Sequence, residues 1–529
     1  MSQPQERNVV LTGFMGTGKT EVGRAVAQAL GRRFVDMDEV LAQRLGMSVP
    51  EVFRRLGEPF FRAEESRLVR ELAGQRGLVI ATGGGALVNA ANRRAMAETS
   101  LLIRLNASPD ALWQRLSGTD GRPMLEAQDR QARMTELLRL REPAYQEIPH
   151  QVDTSDLTIE QVAARVGQIV ANAERVRERA LGVRHPSGFY PIFVTRGGLA
   201  ATGLYLRSRG LTGPVAVICD DTVRGLWGET AAAGLAAEGL PATVLSFPAG
   251  ERSKTLATVE RLVSDMVAAG LGRDCTVLAL GGGVVGDTAG LVAALYMRGV
   301  SFVQVPTTLL AAFDSSVGGK VAVDLPAGKN LVGAFKQPDL VLVDALCMET
   351  LPEEERRAGL AEAVKHGVIA DPELFALLAE GQYDLAEVIE RSIRVKIAVV
   401  EEDPYERGRR AVLNLGHTFG HAFEKLSDFR LRHGEVVAIG MVLAARLSAR
   451  RGLATPALVE RLEACLRTLG LPVRPPAQAP DEVIQAMQAD KKRQAGRLRF
   501  VLPVAMGDVR VYDDVSEDEL RAVLSASGA

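Results

Sequence analysis

The sequence predicts an α/β protein with two parallel sheets followed by a helical region. Over residues 8–175, short apolar runs alternate with segments of helical periodicity, which is the pattern of βαβ units around a parallel sheet. A second alternation starts at YPIFVTRGG and continues through SFVQVPTT, and from about residue 346 the apolar spacing is mostly helical. We therefore expect a parallel-sheet domain, a second α/β domain and a C-terminal helical domain.

The elements of the first alternation follow in chain order. Its strands are predicted at NVVLTG, RFVDMD, LVIATGG and SLLIRLN, and its helices at 20–30, 60–73 and 131–146. The charged stretch from about 172 to 188 ends in His-Pro-Ser-Gly, which favours the end of a helix followed by a linker. The expected divisions are 1–172 for the first domain, 173–187 for the linker, 188–345 for the second α/β domain and 346–529 for the helical domain.

Composition limits the classes of partner. The 529 residues are enough for about three domains, and 63 Lys plus Arg against 65 Asp plus Glu leave no basic field for nucleic acid or an anionic membrane. No uncharged apolar stretch approaches 18 residues, and the N-terminus does not resemble a targeting signal. The four Cys form no CxxC pair, which is typical of a reducing compartment. We expect a cytoplasmic protein with small-molecule ligands.

A phosphate-binding loop follows the first strand. The stretch GFMGTGKT fits G-x4-G-K-T and leads into a predicted helix. Its glycines let backbone amides face a polyphosphate, its lysine reaches the terminal phosphates, and the next threonine can bind Mg²⁺. The motif predicts ATP binding by Gly13, Gly16, Thr17, Gly18, Lys19 and Thr20.

Further residues in this segment suggest a pocket for a phosphate acceptor. Asp36 and Asp38 are expected on one side of the strand FVDMD, because strand side chains repeat every two residues. A second glycine turn, VIATGGGA, can approach a ligand closely. Arginines suit carboxylate capture and neutralisation of phosphate charge, and isolated ones occur in FFRAEE, GRPML and LREPAYQE, at Arg62, Arg122 and Arg141.

This combination resembles shikimate kinase over nearly all of residues 8–170. The resemblance implies that Thr20 and Asp36 serve Mg²⁺ and that Arg122, in a mobile lid at about 112–125, closes over the phosphates of ATP. It also implies catalytic roles for Lys19, Asp38 and Arg122. The shikimate-binding residues would be Asp38, Arg62, Gly83, Gly84 and Arg141.

In the second α/β region, several motifs fall near predicted strand ends. The glycine turn GGGVVGD at 281–287 follows the strand TVLAL and matches GxGxxG only loosely. PAGERSK, VPTTLLA and DSSVGGK lie at similar positions, where open α/β sheets bind their ligands. The pattern indicates a nucleotide or dinucleotide site.

The helical region contains a candidate metal site. His417 and His421 in NLGHTFGHAFE are spaced i and i+4, so both project from one helix face. His433 follows twelve residues later, and Glu362 adds a carboxylate. This set favours a divalent metal over isolated histidines, and the spacing alone suggests three histidine ligands.

Residues 190–510 resemble 3-dehydroquinate synthase, through GGGVVGDTAGLVAALYMRG, VPTTLLAAFDSSVGGKVAVD, GKNLVGAF, GLAEAVKHG, LNLGHTFGHAFE and HGEVVAIGM. The resemblance implies that Glu362, His417 and His433 bind Zn²⁺ or Co²⁺, whereas His421 is catalytic and contacts phosphate. Two histidines and one glutamate leave open positions on a catalytic metal. It further implies catalytic roles for Asp314, Lys320, Lys365 and Lys396.

The same resemblance implies two larger sets of ligand-binding residues. Those for NAD would be Asp220, Glu251, Lys254, Gly282, Gly283, Asp287, Thr307, Thr308, Lys320 and Lys329. Those for 3-deoxy-D-arabino-heptulosonate 7-phosphate would be Arg298 from a second subunit of a homodimer, Asn330, Lys365, Lys396, Arg410, Asn414, His421 and one of Lys491 and Lys492.

The prediction is a bifunctional enzyme of aromatic amino-acid biosynthesis. The first half would transfer phosphate from ATP to shikimate, and the second would form 3-dehydroquinate and phosphate. Two alternatives are a nucleotide-sensing regulatory module in the first half and a metal-dependent polyol dehydrogenase in the second. A sensor has no need of Asp38, Arg62 and Arg141, and a polyol dehydrogenase should lack the phosphate-binding lysines.

Overall fold

The computed structural model describes residues 6–117, 123–125, 128–406, 408–427, 430–493 and 498–528, without the side chains of 123 and 489–493. The chain forms two compact units. The first comprises Met1–Gly182, Gly188–Pro191 and Ala201–Thr212, and the second comprises Val183–Ser187, Ile192–Ala200 and Gly213–Ala529. The chain therefore passes from one unit to the other more than once.

The first unit contains a five-stranded parallel sheet with strand order β2-β3-β1-β4-β5. Its strands are β1 Asn8–Thr12, β2 Arg33–Asp36, β3 Leu78–Ala81, β4 Ser100–Asn106 and β5 His150–Asp153. Its first seven helices are α1 Lys19–Leu30, α2 Met37–Leu45, α3 Val49–Ala73, α4 Ala90–Ala97, α5 Pro109–Leu116, α6 Arg130–Gln146 and α7 Ile159–Arg175.

Apolar layers cover both faces of this sheet. Val10 and Ile80 belong to one buried cluster, whereas Val9 and Val79 belong to the other. Successive side chains of a strand point to opposite faces, so every residue of β1 is buried. This double burial explains why the strands read as continuous apolar runs rather than as alternating ones.

The segment predicted as a linker is different in the structure. It contains the end of α7 and strand β6, Arg179–His185, in which Leu181 and Val183 are buried. Only these two side chains of β6 are buried, and Arg179 and Arg184 flank them, so the sequence pattern did not reveal the strand. Further along, helix α8, Thr202–Arg207, belongs to the first unit.

Helix α8 completes the core of the first unit. Leu204 packs in the same buried cluster as Val9 and Ile103. The Tyr205 hydroxyl donates to Glu178 Oε2 at 2.9 Å and accepts from Asn172 Nδ2 at 3.1 Å, and all three residues are buried. These contacts join α8 to helix α7 and to Glu178, which follows that helix.

We expect Leu204→Ala to lower the free energy of unfolding of the first unit by about 2–5 kcal/mol, the usual cost of truncating a buried leucine. Hydrogen exchange should become faster in β1 and β4. The exposed Leu226, replaced by alanine in the same way, is the matched control and should leave exchange unchanged. Unaltered exchange in Leu204→Ala would contradict the assignment of α8 to this core.

The larger sheet has seven strands in the order β6-β7-β14-β11-β10-β8-β9, and the pairings from β7 to β9 are parallel. Its strands after β6 are β7 Gly188–Thr195, β8 Val215–Asp220, β9 Ala242–Phe247, β10 Thr276–Gly281, β11 Ser301–Pro306 and β14 Leu340–Asp344. A separate antiparallel hairpin pairs β12 Lys320–Leu325 with β13 Gly328–Phe335. The helices of this region are α9 Asp221–Val223, α10 Glu229–Ala236, α11 Leu256–Ala268 and α12 Gly283–Leu295.

The C-terminal part of the second unit is mostly helical, as predicted, but it also contains an antiparallel hairpin of β15 Phe500–Ala505 and β16 Asp508–Tyr512. In the described residues, no helix is long and apolar enough to cross a membrane. The helices are α13 Glu353–Ile369, α14 Pro372–Glu380, α15 Leu385–Glu402, α16 His417–Leu426, α17 His433–Arg450, α18 Pro456–Thr468, α19 Pro480–Arg493 and α20 Glu517–Ala526.

Candidate functional sites

The glycine loop between β1 and α1 has the backbone of a phosphate cradle. Gly16 and Gly18 both have a φ of 83°, a left-handed conformation that favours glycine. A Cβ on Gly13 would collide with the carbonyl oxygen of Leu105. Lys19 begins α1 and its Nζ donates to the Phe14 carbonyl at 2.9 Å. The loop therefore offers an ammonium and a helix N-terminus to a polyphosphate.

Asp36 and Asp38 are close to this loop, but not on one strand as predicted. Strand β2 ends at Asp36, whose Oδ1 accepts from the backbone N–H of Asp38 at 2.9 Å and so caps α2. An aspartate in this position ends the extended backbone by capping the next helix. The Thr20 hydroxyl donates to Asp36 Oδ2 at 2.7 Å, which places together the two groups predicted to serve Mg²⁺.

Asp38 instead faces the second glycine turn. A Cβ on Gly83 would lie 2.8 Å from Asp38 Oδ1 and 2.8 Å from Glu65 Oε1. A Cβ on Gly85 would lie 2.6 Å from the Arg62 guanidinium. Side chains at these glycines would fill the space between the charged groups, so the turn keeps a small polar pocket open.

Helix α6 supplies the other side of this pocket. Arg141 Nη1 donates to the Gly84 carbonyl at 3.2 Å, and the buried Tyr145 hydroxyl donates to the same oxygen at 2.5 Å. Arg62 and Arg141 therefore both border the turn. The pocket combines two guanidinium groups with Asp38, which suits an acceptor that carries a carboxylate and hydroxyl groups.

Glu65 is a member of this pocket that the sequence interpretation missed. It is buried, and its Oε2 pairs with Arg62 Nη1 at 2.8 Å. Burial raises the pKa of Glu65, and the Arg62 charge opposes that rise. Its position three residues after Arg62 in a predicted helix was the available signal. Arg122, by contrast, lies outside the described residues.

In the second unit, the predicted dinucleotide residues lie at the carboxyl ends of three neighbouring parallel strands. Asp220 ends β8, the glycine turn follows β10, and Thr307 follows β11. Gly282 caps α12, so that helix points its N-terminus at this edge. A Cβ on Gly282 would come within 3.1 Å of the Thr308 side chain. This arrangement fits a pyrophosphate next to a helix N-terminus.

Lys254 links two other predicted residues, Asp287 and Asn330. Its buried ammonium lies 2.6 Å from Asp287 Oδ2 and donates to Asn330 Oδ1 at 2.6 Å. Burial raises the pKa of Asp287, and Lys254 opposes the rise. Asn330 has a φ of 55°, a left-handed backbone that asparagine tolerates better than most residues.

A carboxylate and two histidines converge between α13, α16 and α17. One ligand atom each of Glu362, His417 and His433 lie within 4.8 Å of one another. Glu362 Oε1 is 3.9 Å from His417 Nε2 and 3.7 Å from His433 Nε2. The ring of His421 lies next to that of His417, with centroids 5.5 Å apart. The predicted trio is thus assembled, with His421 beside it.

The electrostatic surroundings of Glu362 and His417 suit a divalent metal. Burial alone would raise the pKa of Glu362, but Lys365 and the histidines lower it to about 2. Burial and Lys365 hold the pKa of His417 well below its usual value. Oε2 of Glu362 pairs with Lys365, whereas its buried Oε1 has no hydrogen-bond donor among the described residues. A buried carboxylate oxygen facing two imidazoles is a fitting donor set for zinc.

Two further ion pairs involve lysines predicted to bind the substrate. Lys396 pairs with Asp314, which lies on a short π-helical turn at Ala311–Ser315. Lys320 pairs with Glu406, a residue that the sequence interpretation missed because 86 positions separate the two. Arg410 is buried, and its guanidinium approaches Gly318. Lys396 interacts electrostatically with both Arg410 and Glu406, so these groups form one cluster of cations with matching carboxylates.

The remaining predicted residues have varied positions. Asn414 and Arg298 are exposed, and Arg298 has a left-handed φ of 68°. Lys329 Nζ lies 3.7 Å from Glu251 Oε1. Lys491 and Lys492 belong to α19, but their side chains lie outside the described residues.

Three family models match successive parts of the chain. A shikimate kinase model matches residues 15–171. A model for the N-terminal domain of 3-dehydroquinate synthase matches 244–358, and one for its C-terminal domain matches 359–493. Matches to all three models therefore occur in a single polypeptide.

Known proteins resemble the second part over nearly their full length. The 3-dehydroquinate synthase of a Synechococcus species is 43% identical over 355 residues, which cover 64% of this chain and 96% of the relative. The Desulforamulus reducens enzyme is 45% identical over 347 residues, with the same two shares. The solved structure of ValA, a 2-epi-5-epi-valiolone synthase from Streptomyces hygroscopicus with NAD⁺ and Zn²⁺ bound, is 33% identical. The superposition covers 64% of this chain and 96% of the ValA chain, with a TM-score of 0.59.

Proposed function

The chain belongs to the 3-dehydroquinate synthase family, and a shikimate kinase domain precedes the synthase part. We propose that the protein catalyses both the kinase and the synthase reaction, each with residues of its own part. The first unit transfers the terminal phosphate of ATP to shikimate. The second unit converts 3-deoxy-D-arabino-heptulosonate 7-phosphate to 3-dehydroquinate and phosphate. The two reactions need different sites, because one transfers a phosphate and the other eliminates one.

In the kinase site, Lys19 and the glycine loop hold the phosphates of ATP, and Thr20 with Asp36 binds Mg²⁺. Arg62 and Arg141 bind the shikimate carboxylate through bidentate contacts, and Asp38 orients the hydroxyl that attacks. Glu65 fixes Arg62 through the 2.8 Å ion pair. Arg122 closes over the transferred phosphate. The observation that supports this site is the convergence of Asp38, Arg62 and Glu65 on the glycine turn.

In the synthase site, Glu362, His417 and His433 hold a divalent metal, and the strand ends with Gly282, Thr307 and Asp287 hold NAD. Bound NAD supplies a hydride acceptor that is regenerated, and the bound metal supplies a Lewis acid for substrate hydroxyls. His421 contacts the substrate phosphate and moves a proton beside it. The ValA structure, which resembles this part of the chain, has NAD⁺ and Zn²⁺ bound, and this supports the proposal that the synthase part binds both groups.

The cationic groups distinguish a synthase from a polyol dehydrogenase. Lys320, Lys365, Lys396 and Arg410 oppose the negative charge of a substrate that carries both a carboxylate and a phosphate. A neutral polyol has no need of them. The single observation that supports the synthase reaction best is this set of cations, of which Lys365 pairs with the proposed metal ligand Glu362 itself.

Two finer points belong to the same proposal. The synthase part forms a homodimer in which the exposed Arg298 enters the partner's substrate site. The protein acts in the cytoplasm, and the described chain agrees with a reducing compartment because its four cysteines are free and buried.

The test supplies each substrate to the purified protein. With shikimate and ATP, shikimate 3-phosphate and ADP should form. With the heptulosonate phosphate and NAD, free phosphate should appear without net NADH. Accumulation of NADH from a simple polyol, with no phosphate release, would overturn the synthase assignment. Binding of ATP without phosphorylation of shikimate would overturn the kinase assignment.

The titration of Lys396 predicts a pH dependence of substrate binding. Burial, with Arg410 adding to it, lowers the pKa of Lys396 to about 7, because removal of the ammonium from water outweighs the attraction of the Glu406 carboxylate. The positive charge is present below that pH and is lost above it. The KM for the heptulosonate phosphate should therefore rise as the pH increases through 7.

Lys396→Arg is the diagnostic variant for this effect. A guanidinium stays protonated throughout this range, so the rise in KM should disappear when the assay is repeated from pH 6 to pH 9. An identical rise in the variant would assign the titration to another group.

A further inference from the structure

Glu424 is a carboxylate at the synthase site to which the proposed mechanism gives no role. It lies on α16, three residues after His421 and seven after His417, so all three side chains project from one helix face. Ligand atoms of Glu424, His421 and His433 lie within 4.8 Å of one another. Its Oε1 is also 3.8 Å from Lys329 Nζ on strand β13. This carboxylate thus lies between the metal cluster and the proposed dinucleotide site.

We propose that Glu424 is a positioning residue that holds Lys329 at the dinucleotide site. The Lys329 ammonium sits between two carboxylates, at 3.7 Å from Glu251 and 3.8 Å from Glu424. A lysine has a long flexible stem, so two flanking anions restrict its ammonium to one position. The inference rests on the proposed NAD-binding role of Lys329.

Of the two carboxylates, Glu424 is the stronger partner. Its side chain is 17% exposed, whereas that of Glu251 is 45% exposed. Water and salt screen the more exposed pair more fully. Glu424 also belongs to a packed helix, whereas Glu251 lies on a short 3-10 turn. The position of Lys329 therefore depends mainly on Glu424.

Glu424 acts on Lys329 rather than as a ligand of the metal. Glu362 already offers the histidines a buried oxygen without a donor. The Oε1 of Glu424 faces an ammonium instead, and that charge opposes a second cation at the same carboxylate. Replacing Glu424 should consequently weaken NAD binding and leave the metal in place.

The test uses the full-length protein and titrates NAD by calorimetry into wild type, Glu424→Gln, Lys329→Met and the double variant. Glu424→Gln should raise the Kd for NAD about two- to fivefold, the usual range for a partly exposed ion pair. In the Lys329→Met protein, the added Glu424→Gln substitution should not raise the Kd for NAD further, because the ammonium with which Glu424 interacts is already absent. Glu460→Gln removes the same charge from an exposed site on α18 and is the control.

The metal content, measured by mass spectrometry, is the readout that separates the two roles. Zinc should stay at one ion per chain in Glu424→Gln. Loss of zinc, or an equal loss of NAD affinity with and without Lys329, would overturn the inference. If wild type itself binds no NAD, the proposed function fails. If wild type binds NAD and Glu424→Gln binds it equally well, only this inference fails.

Discussion

Lys19→Met should reduce shikimate phosphorylation by about a thousandfold, the order expected when a group that stabilises transferring phosphate charge is lost. Lys19 is the only lysine in the first 253 residues, so no nearby lysine in the sequence can replace its ammonium. Methionine keeps the length and apolar stem of the side chain. Phosphate release from the heptulosonate phosphate should be unchanged, because that reaction uses residues of the second unit.

Arg94→Met is the matched control for this experiment, since it removes one exposed cation from the same unit. It should retain the kinase activity. A Lys19→Met protein that phosphorylates shikimate at more than about a tenth of the wild-type rate would contradict the role of the loop.

Glu362→Gln should remove the bound metal and lower synthase activity by at least about a hundredfold. The amide is a poorer metal donor than the carboxylate, and the substitution also leaves the buried Lys365 without its anion. Breaking a buried pair in this way costs about 3–5 kcal/mol. Metal content, synthase turnover and kinase turnover are to be measured on the same preparation.

The double variant Glu362→Gln, Lys365→Met distinguishes loss of the metal ligand from loss of folding stability. It removes both members of the buried pair, so the penalty of an unpaired charge disappears. We expect its unfolding temperature to recover partly, whereas the metal should remain absent. Metal binding by either variant at the wild-type level would contradict the assignment of Glu362 as a ligand.

Much of the fold could be predicted because a buried strand appears in the sequence as a short run of apolar residues. Strands such as β1 and β10 are entirely buried, so each reads as a short apolar run before a glycine turn. Strand β6 was missed, because only Leu181 and Val183 are buried in it, which is too short an alternation to predict a strand in an arginine-rich stretch. The place of α8 in the first unit depends on long-range packing of Leu204, which no local pattern reports.

Some features of the candidate sites could likewise be predicted from local sequence, whereas others depend on contacts between distant residues. The phosphate loop and the pair His417 and His421 have short spacings that determine their geometry through one turn or one helix. Glu406 reaches Lys320 across 86 positions, so only the folded chain brings them together. Asp38 was placed wrongly on the strand, because Asp36 both ends β2 and caps α2, and a sequence does not distinguish a strand-end aspartate from a helix-capping one.

The most direct test of the account is to measure both activities of one purified preparation before and after chelation. A strong chelator followed by restored Mg²⁺ should abolish phosphate release from the heptulosonate phosphate and leave shikimate phosphorylation intact. Added Zn²⁺ or Co²⁺ should then restore the synthase reaction. Equal loss of both activities after Mg²⁺ is restored, or no loss of the synthase activity, would contradict a single chain with two independent sites that use different metals.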